Sequence, residues 1–301
     1  MNNQIRRDQL YGLLGKLPTN VEFIQVTKIH EEEHENYILE KLLLELNGIQ
    51  PVPAYFLRSK KAGSKAPTIL YNHSHGGFYT VGKDELLTPA PYMQKPSYGE
   101  TLTQQGFSVL CIDCWAFGER SDRTETETFK EMLWKGQNMW GMMVYDSLRA
   151  LDYLVSRPDV DPNRVGTLGM SMGSTMAWWL AALDTRIKVT IDICCLTDYG
   201  ALLDERGLDR HGVYYYVPDL LNHFTTAQIN ALIAPRPHLS LAGNLDKLTP
   251  YAGLTKIDNE LKKVYLDHNA TDAWKLLRYD VGHIETEEMR KESISFLRKW
   301  L

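Results

Sequence analysis

The sequence predicts an α/β fold: a mixed, mostly parallel sheet of about eight strands with helices on both faces. Three observations carry this. From Thr68 onward, short apolar runs alternate with helical stretches, the pattern of parallel βαβ units. Before that, Val21 to Val26, Tyr37 to Leu46 and Val52 to Leu57 read as strands, and Asn47-Gly48 between the last two is a hairpin signal, so the opening is antiparallel. Finally, 301 residues with 44% apolar and 24% charged side chains suit one large globular domain over residues 1–301. No repeat, low-complexity tract or long linker divides the chain.

Residues 5–15 pattern as a short amphipathic helix ahead of the first strand. After the hairpin, Lys60 to Pro67 is a solvated loop, Thr68 to Asn72 a strand, Tyr98 to Gln105 a helix and Phe107 to Asp113 a strand. A long helix follows from Met139 to Ser156, then a strand from Arg164 to Met170. Val189 to Cys194 and His238 to Ala242 are further strands, with a helix around 252–264. The last strand, Trp274 to Tyr279, precedes a C-terminal helix from Glu285. Two stretches, about 115–138 and 197–224, break the alternation. Long excursions at the carboxyl edge of a parallel sheet usually shape a ligand site. They supply Trp115, Phe117, Trp134, Tyr214 and Tyr215, which with Trp140 are candidates to line a pocket.

Composition narrows the function. A formal charge of −5 offers no basic face for nucleic acid. No apolar run approaches the ~20 residues that span a bilayer, and the N-terminus has no apolar leader core, so a cytoplasmic protein without a membrane partner is expected. Four cysteines in a chain this long do not make a disulfide framework. Cys111 and Cys114 form a C-x-x-C, but within a strand pattern, where buried thiols are expected rather than a redox or metal centre. A redox protein would show thiol-dependent activity.

The chemistry gathers around Gly169-Met170-Ser171-Met172-Gly173, which matches G-x-S-x-G between an apolar strand and an apolar helix. A serine on so sharp a turn is lifted clear of the sheet at the positive end of a helix, and the glycines let strand and helix pass closely. A serine nucleophile needs a base and an orienting acid. Beyond the strand at 238–242 stands Asp246, and beyond the strand at 274–279 stands His283, giving the order Ser171, Asp246, His283. Asp192, Asp198 and Asp280 are rivals for the acid. Met172 supplies one amide for an oxyanion, and Gly77 or Phe78, in the loop His73-Ser74-His75-Gly76-Gly77-Phe78, a second. His73 and His75 lack a third ligand at metal spacing, so no metal is expected and the pair is read as structural.

With these motifs in place the sequence resembles the α/β-hydrolase superfamily over almost its whole length. It is most similar to the dienelactone-hydrolase and acetyl-xylan-esterase-like branch, related to the catalytic domains of prolyl-oligopeptidase-type enzymes. The matching residues are His75-Gly76-Gly77, Asp113 with Gly118-Glu119-Arg120, Gly169 to Gly173, Ala234-Pro235-Arg236-Pro237, Gly243 with Asp246, and Gly282-His283. The resemblance implies an α/β-hydrolase fold and a cofactor-free carboxylesterase or deacetylase acting on small esters. Ser171 stands where dienelactone hydrolases carry cysteine, and no propeller precedes the domain, so a size-gated oligopeptidase is not expected. The same triad could cleave an amide, a thioester or a small peptide. A hydrolase fold used only to bind a ligand would have no need of all three residues.

Overall fold

The computed structural model describes residues 3–19 and 23–301. Nine strands form one sheet: β1 Val26–Glu33, β2 Tyr37–Leu44, β3 Val52–Ser59, β4 Ala66–Asn72, β5 Ser108–Ile112, β6 Val160–Met170, β7 Ile187–Ile193, β8 His238–Gly243 and β9 Trp274–Tyr279. Their order across the sheet is β1-β2-β3-β5-β4-β6-β7-β8-β9. The first three strands and the β3–β5 junction are antiparallel; all later neighbours are parallel. The chain thus changes direction across the sheet between β4 and β5. β6 pairs with β4, and from β7 on each strand is laid beside the one before it.

The helices are α1 Asn3–Gly12, α2 Tyr98–Gln104, α3 Glu125–Trp134, α4 Met139–Ser156, α5 Met172–Leu183, α6 Tyr199–Asp204, α7 Leu220–His223, α8 Thr226–Ala231, α9 Tyr251–Asp267 and α10 Glu287–Trp300. Two apolar clusters lie on opposite faces of the sheet. Leu70, Leu110 and Val165 point to one, which α4, α5 and α9 close with Trp140, Trp178, Trp179 and Leu261. Ile69, Val109, Leu168 and Ile191 point to the other, closed by Leu102 of α2 and Met289 and Leu297 of α10. Alternate side chains of one strand therefore feed two cores, so the strands read as unbroken apolar runs.

Two expectations need correction. The sheet has nine strands rather than about eight, and β1 begins at Val26 rather than ending there. Residues 21 and 22 of the expected strand lie outside the described residues, and Phe23 is exposed. The paired segment, Val-Thr-Lys-Ile-His-Glu-Glu-Glu, is exposed at all eight positions. It is held by ladder hydrogen bonds along β2 and buries nothing, so hydrophobic patterning could not find it.

Candidate active site

The turn from β6 into α5 holds Ser171 at φ 59 and ψ −119, a backbone region that side-chain-bearing residues rarely enter. Its neighbours make this possible. A methyl group on Gly169 would sit 2.4 Å from the Gly173 carbonyl carbon, and one on Gly173 would sit 2.0 Å from Asn72 O. Strand and helix thus pass in contact, as the motif requires. Two backbone bonds fix the turn: Ser171 N donates to Ile193 O at 2.9 Å, and Thr175 N to Ser171 O at 3.1 Å. The Ser171 hydroxyl has no hydrogen-bond partner among the described residues.

Asp246 and His283 arrive from the ends of β8 and β9, the last two strands of the sheet. Gly243 closes β8 where a Cβ would strike the carbonyls of Val281 and Gly282 at 2.4 Å, so the loops after β8 and β9 lie against each other. Asp246 Oδ2 accepts from His283 Nδ1 at 2.7 Å, while Asp246 Oδ1 accepts the Leu248 amide at 2.9 Å. Nδ1 therefore carries the proton and Nε2 is left as a base. The rival carboxylates are engaged elsewhere. Asp198 caps α6 through Ala201 N, Asp280 accepts from Asn244, and Asp192 binds His238 inside the core.

The loop after β4 is built from side-chain bonds. His73 is buried; its Nδ1 donates to Ser74 O at 2.9 Å and its Nε2 accepts the Cys114 amide at 3.1 Å, so both ring nitrogens are spent structurally. His75 Nδ1 accepts the Gly77 amide at 3.0 Å, which leaves Nε2–H to face Glu125 Oε2 at 3.4 Å. Phe78 N donates to His75 O at 3.0 Å. The amides of Gly77 and Phe78, the expected oxyanion donors, thus already have acceptors within their own turn. Among the described residues the amides of Gly76 and Met172 have none. Sequence position alone does not show this, because the His75 ring takes the Gly77 amide and the His75 carbonyl the Phe78 amide.

Glu125 ties this loop to both excursions. Its carboxylate accepts from Tyr79 Oη at 2.8 Å and from Tyr214 N at 3.2 Å. Burial alone would push this carboxyl up, but the bonds from His75 and Tyr79 hold it below its ordinary value. Trp115 lines a cavity with Arg120 and Met132, and Tyr215 an apolar one with Leu202 and Leu220, while the buried aromatics are also packed on one another. Phe117, fully buried, lies 5.2 Å from both the His73 and His75 rings, and Tyr214 stacks on His75 at 5.4 Å. Trp140 is buried against Tyr214 and Trp179, and Tyr215 against Tyr199 and His211. Trp115 lies under the Arg120 guanidinium. Trp134 does not line a pocket: it is 95% exposed at the end of α3, on the helix face turned away from the core.

One residue was missed by sequence reading. Tyr92 sits 6.3 Å, ring to ring, from His283, and its hydroxyl lies 2.2 Å from where a Gly76 Cβ would stand. That hydroxyl is hydrogen-bonded to Ser74, which in turn bonds the buried Glu85. Tyr92 O also accepts the Glu285 amide at 2.9 Å, fastening it to the His283 loop. No motif marks it; only the fold brings residue 92 beside residue 283.

The sheet order, the strained serine turn and the Asp–His pair beyond the last two strands define an α/β hydrolase. The chain belongs to the dienelactone hydrolase family, whose model matches residues 92–271. A Bacillus subtilis protein described as a hydrolase, YtaP, is 52% identical over 296 residues, 98% of this chain and 99% of its own. Among solved structures, a glucuronoyl esterase from Solibacter usitatus superposes with a TM-score of 0.69 at 18% identity, covering 97% of this chain and 91% of that one. Acetyl xylan esterase 1 from Thermoanaerobacterium sp. gives 0.62 at 15% identity, with 97% and 98% covered. The protein is an enzyme of the hydrolase class. No helix among the described residues is long and apolar enough to cross a membrane.

Proposed function

We propose that the protein is a serine carboxylesterase or deacetylase that hydrolyses small, short-acyl esters through Ser171, His283 and Asp246. The observation that carries this is the 2.7 Å bond from His283 Nδ1 to Asp246, on loops beyond the sheet edge where Ser171 is held in a strained turn. In this reading Ser171 Oγ attacks the ester carbonyl as His283 Nε2 takes its proton. Asp246 keeps the imidazole in the Nδ1–H tautomer and stabilises the imidazolium that forms. The Met172 and Gly76 amides donate to the tetrahedral oxyanion, each worth roughly 2.7–4 kcal/mol at the transition state. His283 then protonates the leaving alcohol. Water, deprotonated by the same nitrogen, releases the acid from Ser171.

The esterase names of the solved structural relatives support an ester as substrate, and the buried aromatics around His75 support a short acyl group. The test is hydrolysis of p-nitrophenyl esters from acetate to octanoate by wild type and Ser171→Ala. Turnover confined to short chains and abolished in the variant is the expected result. Ester turnover that persists in Ser171→Ala would overturn the mechanism.

A further inference from the structure

Beside the Asp–His pair lies a group that ester hydrolysis does not use. Cys194 follows β7 in the left-handed region, at φ 61. Two bonds hold it there: its amide donates to Leu241 O at 2.8 Å, and its thiol to Ile284 O at 3.5 Å. The consequence is that the sulfur is aimed across the sheet edge at the catalytic loops. One ligand atom each from Cys194, Asp246 and His283 lie within 4.8 Å of one another.

Thiolate, imidazole and carboxylate are the donors that zinc and its heavier congener cadmium accept, and two anionic ligands balance a dication. A tetrahedral zinc with bonds of about 2.0–2.3 Å sets its ligands roughly 3.3–3.8 Å apart, so no separation among the three groups needs to change by more than about 1.5 Å. Asp246 Oδ2 and His283 Nδ1, now bridged by a proton at 2.7 Å, part by roughly 0.6 Å to admit the ion in its place. The His283 side chain is 23% exposed, which opens the cluster to solvent from one side.

We infer that Cys194, Asp246 and His283 form a binding site for a thiophilic divalent cation, zinc or cadmium, whose occupation switches the enzyme off. The inhibitory half rests on the esterase reading above. On binding, the Cys194 thiol releases its proton to solvent and the sulfur ligates as thiolate. The His283 proton moves from Nδ1 to Nε2, Nδ1 ligates the ion, and Asp246 exchanges its N–H partner for the metal. One proton leaves per ion bound. The imidazole is then locked in the tautomer that cannot accept a proton from Ser171. Burial pushes the Cys194 thiol well above its usual pKa, so it is a poor nucleophile until a cation supplies the compensating charge.

The test separates binding from inhibition. Cadmium chloride is titrated into the Ser171→Ala protein while the ultraviolet thiolate-to-cadmium charge-transfer absorbance and proton release are followed. One saturable equivalent is expected, with one proton released, and both signals vanish when Cys194→Ala or the near-isosteric Cys194→Ser is added. In the otherwise native enzyme, zinc or cadmium should inhibit ester hydrolysis reversibly with a chelator. Loss of the sulfur should raise the half-inhibiting concentration roughly 10- to 100-fold, each variant referred to its own metal-free rate. No absorbance, or absorbance unchanged without Cys194, overturns the site. A Cys194-dependent absorbance with no inhibition overturns the switch and counts against His283 as the base, while leaving the site itself standing.

Discussion

Asp192 and His238 meet 2.6 Å apart, Oδ2 to Nε2, with neither side chain exposed to solvent. The same carboxylate accepts from Ser240 at 2.8 Å and from Ser174, in the first turn of α5, at 3.4 Å. A polar cluster thus links β7, β8 and α5 directly beneath the serine turn. Asp192→Ala leaves the buried His238 Nε2 without its hydrogen-bond partner and should cost about 1–3 kcal/mol of stability, as a buried polar group left unsatisfied does. Chemical denaturation of the variant checks this. A loss under 1 kcal/mol would mean that the cluster contributes little.

The two glycines of the loop after β4 should respond differently to alanine. Both have positive φ, 52 for Gly76 and 76 for Gly77, but a Cβ at Gly77 meets open space whereas one at Gly76 meets Tyr92. Gly76→Ala should therefore lower kcat by about 10²–10³, the cost of one misplaced oxyanion donor, and Gly77→Ala by much less. Equal losses would argue that backbone strain, not the contact with Tyr92, decides the outcome.

His211 gives the stability a defined pH dependence. Burial lowers its pKa to about 4, although its bond to Leu248 O acts the other way, and its ring stacks on Tyr215 at 4.3 Å. In the unfolded chain it titrates near the ordinary value of about 6.5. Between these values the unfolded state binds the extra proton, so stability is complete above about 6.5 and falls as pH drops toward 4. His211→Gln should flatten that part of the profile by roughly 1–3 kcal/mol, measured as the denaturation midpoint at each pH. An unchanged slope would show that other groups carry it.

Trp134 and Tyr214 make a matched pair of aromatic substitutions. Trp134→Ser removes a ring that is 95% exposed and should leave ester turnover within a factor of two and stability within about 0.5 kcal/mol. Tyr214→Ala removes a buried ring that stacks on His75 and should cost roughly 3–5 kcal/mol, by analogy with other large aromatic truncations in cores. Thermal melts and p-nitrophenyl acetate rates on the two variants test both statements.

The contrast between those two residues indicates how far the sequence could be read. Strands that feed two cores, such as β4 and β7, announce themselves as apolar runs, and Asp246 and His283 stand out because each follows one. The serine turn is legible because only small residues fit at 169 and 173. What was not legible depends on pairing without burial or on contacts the sequence order does not show: β1, which pairs without burying; Tyr92, brought to His283 from another element; and the local bonds to His75 that occupy the Gly77 and Phe78 amides. Trp134 misled because an aromatic in an excursion says nothing of which side of its helix it occupies. Asp192 looked like a spare catalytic acid, since the histidine that claims it lies 46 positions away on a neighbouring strand.

The exposed first strand has a further consequence for behaviour in concentrated solution. Its outer edge carries Lys28 and the run Glu31-Glu32-Glu33, every side chain open to water. A second molecule extending the sheet there would have to bring its own chain alongside consecutive like charges and strip their hydration. Such an edge discourages strand-to-strand recruitment. The otherwise apolar sheet is thereby guarded against runaway polymerisation on that side by a segment that adds almost nothing to its core.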